Sequence, residues 1–204
     1  MTLGQRFARL TTDVVTRVPG AWRLFRGRMT AQFDALAPEW DVTRVSPERL
    51  VALRAALEAI PSPPRRVLDV GTGTGAAART AAELWPDAEI VGVDLSAGMI
   101  DEARRLASSE RVRFQVGDSS ALPFESGSFD VATLNNMIPF FDELARVVAP
   151  GGWVAIAYSM GERTPIYVPL ERLRAELGQR GFSDFREFSP AQGLSLLAHR
   201  GEAS

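Results

Sequence analysis

The residues best placed to do chemistry lie in one short run, Val67-Leu68-Asp69-Val70-Gly71-Thr72-Gly73-Thr74-Gly75. Glycines at 71, 73 and 75 permit a tight turn and let a ligand approach the backbone. An apolar stretch precedes the turn and an alanine-rich stretch follows it, so a strand should lead in and a helix lead out. The N–H groups at that helix start are then open to an anionic or polar ligand. Asp94 follows Gly71 by 23 residues, close to where such a site holds a carboxylate for ribose hydroxyls.

Two ligand classes fit this much. Gly71-x-Gly73-x-x-Ala76 also satisfies the dinucleotide fingerprint. Asp69, two residues before the first glycine, separates the readings. A carboxylate there repels a pyrophosphate and welcomes a cationic amino group. Gly117-Asp118-Ser119 adds a second carboxylate that could accept from an adenine amino group. Together these fit S-adenosylmethionine (SAM), which carries an amino group and a sulfonium but no phosphate. A nicotinamide-dependent oxidoreductase is the rival enzyme class, and Asp69 and Asp118 count against it.

Absences narrow the chemistry further. The 204 residues include no Cys, and all 23 basic residues are Arg. Disulfides, thiol nucleophiles, Cys-ligated metals, Schiff bases and the Walker A lysine are excluded. The one histidine, His199, precludes a multi-His metal site, and no metal is expected. A net charge of -2 does not suggest a general nucleic-acid binder. No apolar run approaches the roughly 20 residues that span a bilayer. The N-terminus lacks an uninterrupted apolar segment of the secretory kind, so a soluble, cytoplasmic protein is expected.

The elements that must position these residues follow from periodicity. Short apolar strands are predicted at Arg66–Val70, Glu89–Val93, Val112–Val116, Phe129–Leu134 and Trp153–Tyr158. Helices over Ala76–Leu84, Ser96–Ala107 and Asp142–Val148 alternate with them, and Leu170, Leu173 and Leu177 mark another. Phe182–Phe188 and Gly193–His199 have no helix between them and read as an antiparallel hairpin. This is an α/β chain: a Rossmann-like, seven-stranded, mostly parallel sheet with an antiparallel last strand and helices on both faces. Residues 1–60 read as an N-terminal helical lid. Pro61-Ser62-Pro63-Pro64 is a stiff linker, and 61–204 forms the core that carries the ligand site.

At this point the chain resembles the class I SAM-dependent methyltransferases. The pieces VLDVGTGTG (67–75), VGVDLSAGMI (91–100), VGDSSALPFESGSFDVATLNN (116–136) and LARVVAPGGWVAIA (144–157) stand in that family's order. The stretch from Asp118 through Leu122-Pro123-Phe124 to Ser128-Phe129-Asp130 is similar to the small-molecule subgroup, which includes quinone-biosynthesis C-methyltransferases.

The resemblance implies a role for each residue. Asp69 would bond the methionine amino group, and Gly71, Thr72, Gly73 and Gly75 would line the methionine and ribose. Asp94 would take the ribose hydroxyls, while Leu95 and Met99 pack the adenine. Asp118 and Ser119 would read the adenine edge. Asn135 would face both the methyl donor and the acceptor. Phe33-Asp34 to Trp40-Asp41 resembles the family's segment ahead of the first motif, so Trp40 would cover the sulfonium. With no Lys present, Arg44 would meet the methionine carboxylate.

The implied reaction moves a methyl group to O, N or C of a small organic acceptor by in-line displacement, leaving S-adenosylhomocysteine. Position and desolvation drive it. Tyr158 and Asn135 are the candidates for a direct catalytic part; His199 reads as structural. Asn135-Asn136-Met137-Ile138-Pro139-Phe140 places Met137 where amide methyltransferases of DNA and protein keep a polar residue, which counts against nucleic-acid substrates. A SAM-binding regulatory protein without catalysis is the alternative.

Residues 1–30 carry six Arg against one acid, Asp13. Leu3, Phe7, Leu10 and Val14 form an apolar stripe beside them. One reading is a basic amphipathic segment that touches a membrane surface or grips an acidic, lipophilic or aromatic substrate. The other is a lid packed on the core with its arginines in water. The sequence carries no signal for an oligomeric state.

Overall fold

The computed structural model describes residues 3–107 and 109–202. Three helices come first: α1 (Leu3–Val15), α2 (Trp22–Arg44) and α3 (Pro47–Glu58). A single 3-10 turn at Pro19–Ala21 separates α1 from α2, where Pro19-Gly20 breaks the helical pattern. Strands and helices then alternate: β1 (Arg66–Val70), α4 (Ala76–Leu84), β2 (Glu89–Asp94), α5 (Ala97–Leu106) and β3 (Val112–Val116). β4 (Phe129–Asn135), α6 (Phe141–Val147), β5 (Val148–Tyr158), α7 (Leu170–Gly178), β6 (Phe182–Phe188) and β7 (Leu194–Arg200) complete the chain.

The strands form one seven-stranded sheet in the order β3-β2-β1-β4-β5-β7-β6. β1 to β5 run parallel, with Val67 opposite both Ile90 and Val131. β7 is antiparallel to β5 and β6. The chain winds outward from β1 to β3, then returns to build the other side from β4. A crevice therefore opens at the carboxyl ends of β1 and β4, where ligands of such sheets bind.

Both sheet faces are buried, which explains the continuous apolar runs in the central strands. Leu68, Leu134 and Ile156 pack toward α6 and α7. Val67, Ile90 and Val131 pack toward α3 and α4. The proline linker at 61–64 suggests that everything before it is lid, but packing divides the N-terminal segment elsewhere. Leu53, Ala56 and Leu57 of α3 are fully buried, and Ser195 Oγ of β7 donates to Ala52 O at 2.7 Å. The roof over the strand ends is made by α1 and α2.

β5 also starts earlier than its pattern suggests. Pro150-Gly151-Gly152 reads as a break, yet the strand runs through it from Val148. A register shift between Phe129 and Val131 accommodates the irregular stretch.

Candidate functional site

The turn after β1 has the backbone that its glycines allow. Gly71, Gly73 and Gly75 have φ of 69, 53 and 84°, the left-handed region. The N–H groups of Gly71 and Thr72 donate to Val93 O at 2.8 and 3.0 Å, which ties the turn to β2. A Cβ on Gly71 would run into the Met137 sulfur, so the glycine lets the β4 exit pass close by. A Cβ on Gly73 would meet nothing nearer than Trp40 Nε1 at 3.9 Å. That position faces open space.

The open space is a cavity of about 340 Å³, within the range of small-molecule sites. Gly71, Thr72 and Gly73 form one wall. Asp94, Leu95, Met99 and Ser119 form the next, at the ends of β2 and β3. Asn135 closes the β4 side, and Trp40 and Arg44 of α2 stand opposite the turn. Most of the residues implied by the sequence resemblance thus meet at one cavity. Asp69, Gly75 and Asp118 lie behind its wall.

The three carboxylates differ in their surroundings. Asp94 Oδ2 accepts from Gly73 N and its Oδ1 from Ser96 N, both at 2.9 Å. Burial raises its pKa against the pull of these donors. Asp69 is 1% exposed and accepts from Thr72 Oγ1 at 2.6 Å. Its other oxygen is buried without a partner, and burial pushes its pKa up to about 7. Burial also acts to raise Asp118, but donors from Ser120, Trp22 and Arg26 outweigh it and hold this carboxyl below its ordinary value.

Those last two donors belong to the roof. Trp22 Nε1 donates to Asp118 Oδ1 at 2.9 Å, and Arg26 pairs with Oδ2 at 3.2 Å. Two other contacts repeat the arrangement at the neighbouring strand ends. Asp34 accepts from Ser96 Oγ and, at 3.1 Å, from Gly98 N. Asp41 accepts from Thr74 Oγ1 at 2.7 Å and pairs with Arg79 at 3.2 Å. α2 is therefore clasped to the exits of β1, β2 and β3. Arg9 of α1 binds the carbonyls of Glu162, Thr164 and Tyr167, closing the roof onto the loop after β5. Trp40 sits edge-on to Phe33 at 5.5 Å, and the Arg44 guanidinium lies 5.1 Å from the Trp40 ring centre.

At the β4 exit, Asn135 Oδ1 is buried and has no hydrogen-bond partner. Asn136 has a φ of 55° and exchanges two hydrogen bonds with Ser159, at 3.0 and 2.8 Å, locking the β4 and β5 ends together. Beyond it the cavity runs under α1 and α2 among Gly4, Ala8, Met29, Phe33, Pro165 and Ile166.

Tyr158 corrects an expectation. It does not line the pocket: it is fully buried on the α6–α7 side of the sheet, 5.1 Å from the Tyr167 ring. Burial raises its pKa further above the phenol range, so it is no base. Tyr158 is the last residue of β5 and its side of the pleat faces α6 and α7, while Ser159 and Met160, just past the strand end, reach the cavity instead. His199 stacks on Trp153 with ring centres 4.5 Å apart, at the β5–β7 pairing and off the cavity wall.

Sequence reasoning gives no sign of the contacts that Trp22, Asp34, Arg79 and Met137 make. Trp22 and Asp118 are separated by 96 positions, so no local spacing betrays their contact. The sequence marks Met137 by the polar residue it replaces, and its packing against Gly71 emerges only in the fold.

The cavity's glycine turn and carboxylates suit SAM on this chain's own features. Gly73 leaves its backbone open to the cavity, Asp94 stands on the cavity wall at the end of β2, Leu95 and Met99 give an apolar face, and Asn135 carries a buried oxygen without a partner.

Comparison with known proteins bears on the same stretch. Residues 67–152 match the family model described as a methyltransferase domain. A demethylmenaquinone methyltransferase of Deinococcus radiodurans is 39% identical over 133 residues, covering 59% of this chain and 55% of that protein. A malonyl-[acyl-carrier protein] O-methyltransferase of Halorhodospira halophila is 38% identical over 135 residues, covering 61% and 45%. The matches thus span about half the length of these curated relatives. Among solved structures, the [4+2]-cyclase SpnF superimposes with a TM-score of 0.69 at 19% identity, over 86% of this chain and 96% of that one. The chain resembles the class I SAM-dependent methyltransferases, quinone methyltransferases among them, and has their Rossmann-like fold.

Proposed function

We propose that the protein is a SAM-dependent methyltransferase for a small, largely apolar acceptor. One observation carries this reading: a single cavity runs from the glycine turn and Asp94, past Asn135, to the apolar underside of α1 and α2. It offers a cofactor end and an acceptor end with Asn135 between them. Gly71, Thr72, Gly73, Asp94, Leu95 and Met99 would hold SAM, with Trp40 and Arg44 at its methionine end. Bound there, SAM supplies a methyl group on a positively charged sulfur whose charge is lost on transfer.

The protein's own part is binding, orientation and exclusion of water. Backbone groups of the turn and the carboxylate of Asp94 are already fixed by hydrogen bonds, so little reordering is needed. The clasped roof covers the strand exits and would limit the water that reaches the reacting atoms. Asn135 Oδ1 can accept from a polar hydrogen of either partner.

Among the described residues, the charged side chains on the wall are Arg44, Arg49 and Asp94. Asp94 already accepts from Gly73 and Ser96, so no side chain is free to act as a strong base at the acceptor end. The acceptor must bring a nucleophile that is readily ionised, such as an activated carbon acid or a hydroquinone oxygen. Of the acceptors in the relatives' names, a demethylmenaquinone, already in its reduced hydroquinone form, suits the apolar end best. The SpnF likeness is a likeness of fold alone, and function rests on the site. The cavity beyond Asn135 counts against a purely regulatory SAM-binding role, which would need no acceptor space.

Calorimetric titration with SAM, S-adenosylhomocysteine and NADH tests this. Both adenosyl ligands should bind, and Asp94→Ala should abolish their binding. Binding of NADH alone would sink the proposal.

A further inference from the structure

The outer surface of the roof has a pattern that its inner surface does not require. On α1, Leu3, Arg6, Leu10 and Asp13 recur at three, four and three, opposite buried Ala8, Thr12 and Val15. Leu3 is 77% exposed and Leu10 57%. Val18, between the helices, is 58% exposed, and Leu24 on α2 is 82% exposed. The two helices lie side by side: Gly4 faces Gln32, and Arg28 caps the Phe7 ring at 4.3 Å. Their outward rows therefore share one surface.

Arginines surround these apolar tips. Arg6, Arg17 and Arg23 are exposed, their guanidinium groups form no hydrogen bond or ion pair among the described residues, and Arg26 and Arg28 stand beside them. Asp13 is the one acid between residues 3 and 33. Four large apolar side chains held in water among unpaired cations do nothing for the roof itself.

We propose that the outer face of α1 and α2 docks on an anionic lipid surface. Leu3, Leu10, Val18 and Leu24 enter the boundary between headgroups and acyl chains, and the arginines meet lipid phosphates. Charge selects this occupant. A second copy of the chain packed on the same face across a two-fold axis would set arginine against arginine. A nucleic acid would answer the arginines but leave the leucines against phosphate and water. The same helices roof the cavity from within, through Gly4, Ala8, Met29 and Phe33. Docking would hold the acceptor end against the phase where an apolar acceptor dissolves; this sense of the contact rests on the proposed function, but the contact does not.

The test is co-sedimentation of the full chain with vesicles of phosphatidylcholine alone and of phosphatidylcholine mixed with phosphatidylglycerol. Binding should need phosphatidylglycerol, weaken with added salt, and fall roughly thirtyfold in Arg17→Gln/Arg23→Gln, at about one multiplicative step per arginine. Leu10→Ser/Leu24→Ser should also weaken it, with the thermal midpoint unchanged. No binding, equal binding to both vesicles, or a dimer in sedimentation velocity that the leucine variant dissociates would overturn the proposal. SAM titration of the same variants separates the two readings. Lost vesicle binding with intact SAM binding affects the docking face alone, and vesicle binding without SAM binding overturns only the methyltransferase reading.

Discussion

The Trp22 indole N–H donates to Asp118 Oδ1 over 2.9 Å and so binds the roof to the exit of β3. Trp22 is 5% exposed and also packs edge-on against Phe140 at 5.6 Å. Trp22→Phe should keep most of that packing and lose the donor, costing about 1 kcal/mol. Hydrogen exchange checks where the loss falls: protection should drop in α1 and α2, while the strands of the sheet keep theirs.

Gly71→Ala should be among the most damaging single changes at the site. The new methyl meets the Met137 sulfur, and a φ of 69° strains any residue with a Cβ. The backbone penalty alone is roughly 1–2 kcal/mol. Gly71→Ala/Met137→Ala should recover part of the thermal midpoint but not all of it, because only the clash is relieved. Thermal melts of both variants decide this.

Asp69 sets a pH dependence of stability. Its folded pKa, about 7, lies above its unfolded value because burial penalises the charged form. Between those values the folded state holds a proton that the unfolded state has released. The contribution is therefore fully present below the unfolded pKa and is lost as pH rises through about 7. The melting temperature should fall from pH 5 to pH 8 (a window of roughly these limits) more steeply in the wild type than in Asp69→Asn.

Asn135 and Tyr158, neighbours at the sheet's carboxyl edge, should separate cleanly. Asn135→Ala removes an unpaired acceptor from the cavity wall and should lower kcat/KM for the acceptor roughly tenfold or more. Tyr158→Phe changes a ring buried away from the cavity and should leave kcat/KM unaltered, with stability within about 1 kcal/mol. Steady-state kinetics on both variants are the measurement.

Much of this site is local, and local features are what a sequence displays. The glycine turn, Asp94 and the exits of β3 and β4 each follow an apolar strand directly, so their place at one edge of the sheet can be read from the alternation of elements. The hairpin of β6 and β7 is legible for the same reason. Other features depend on parity or on distance. Tyr158 and Ser159 differ only in which side of the pleat they occupy, and the apolar run of β5 carries no mark of that. The burial of α3 is hidden because a proline linker signals a boundary whatever packs on either side of it. The engagement of Asp118 by Trp22 and Arg26 joins segments far apart in the chain. Neither the roof's clasps nor the close pass of Met137 over Gly71 leaves a trace in spacing.

The three clasps of α2 bear on timing. Asp34 and Asp41 of α2 bind across to the exits of β2 and β1, and Trp22 of α2 binds Asp118 at the exit of β3, around the same cavity. The roof cannot lift by moving one side chain; several polar contacts on a single helix must part together. On the proposed function, a ligand too large to pass the clasped roof would enter and leave at the pace of a collective opening, and departure of the product, more than the bond-making step, would set turnover.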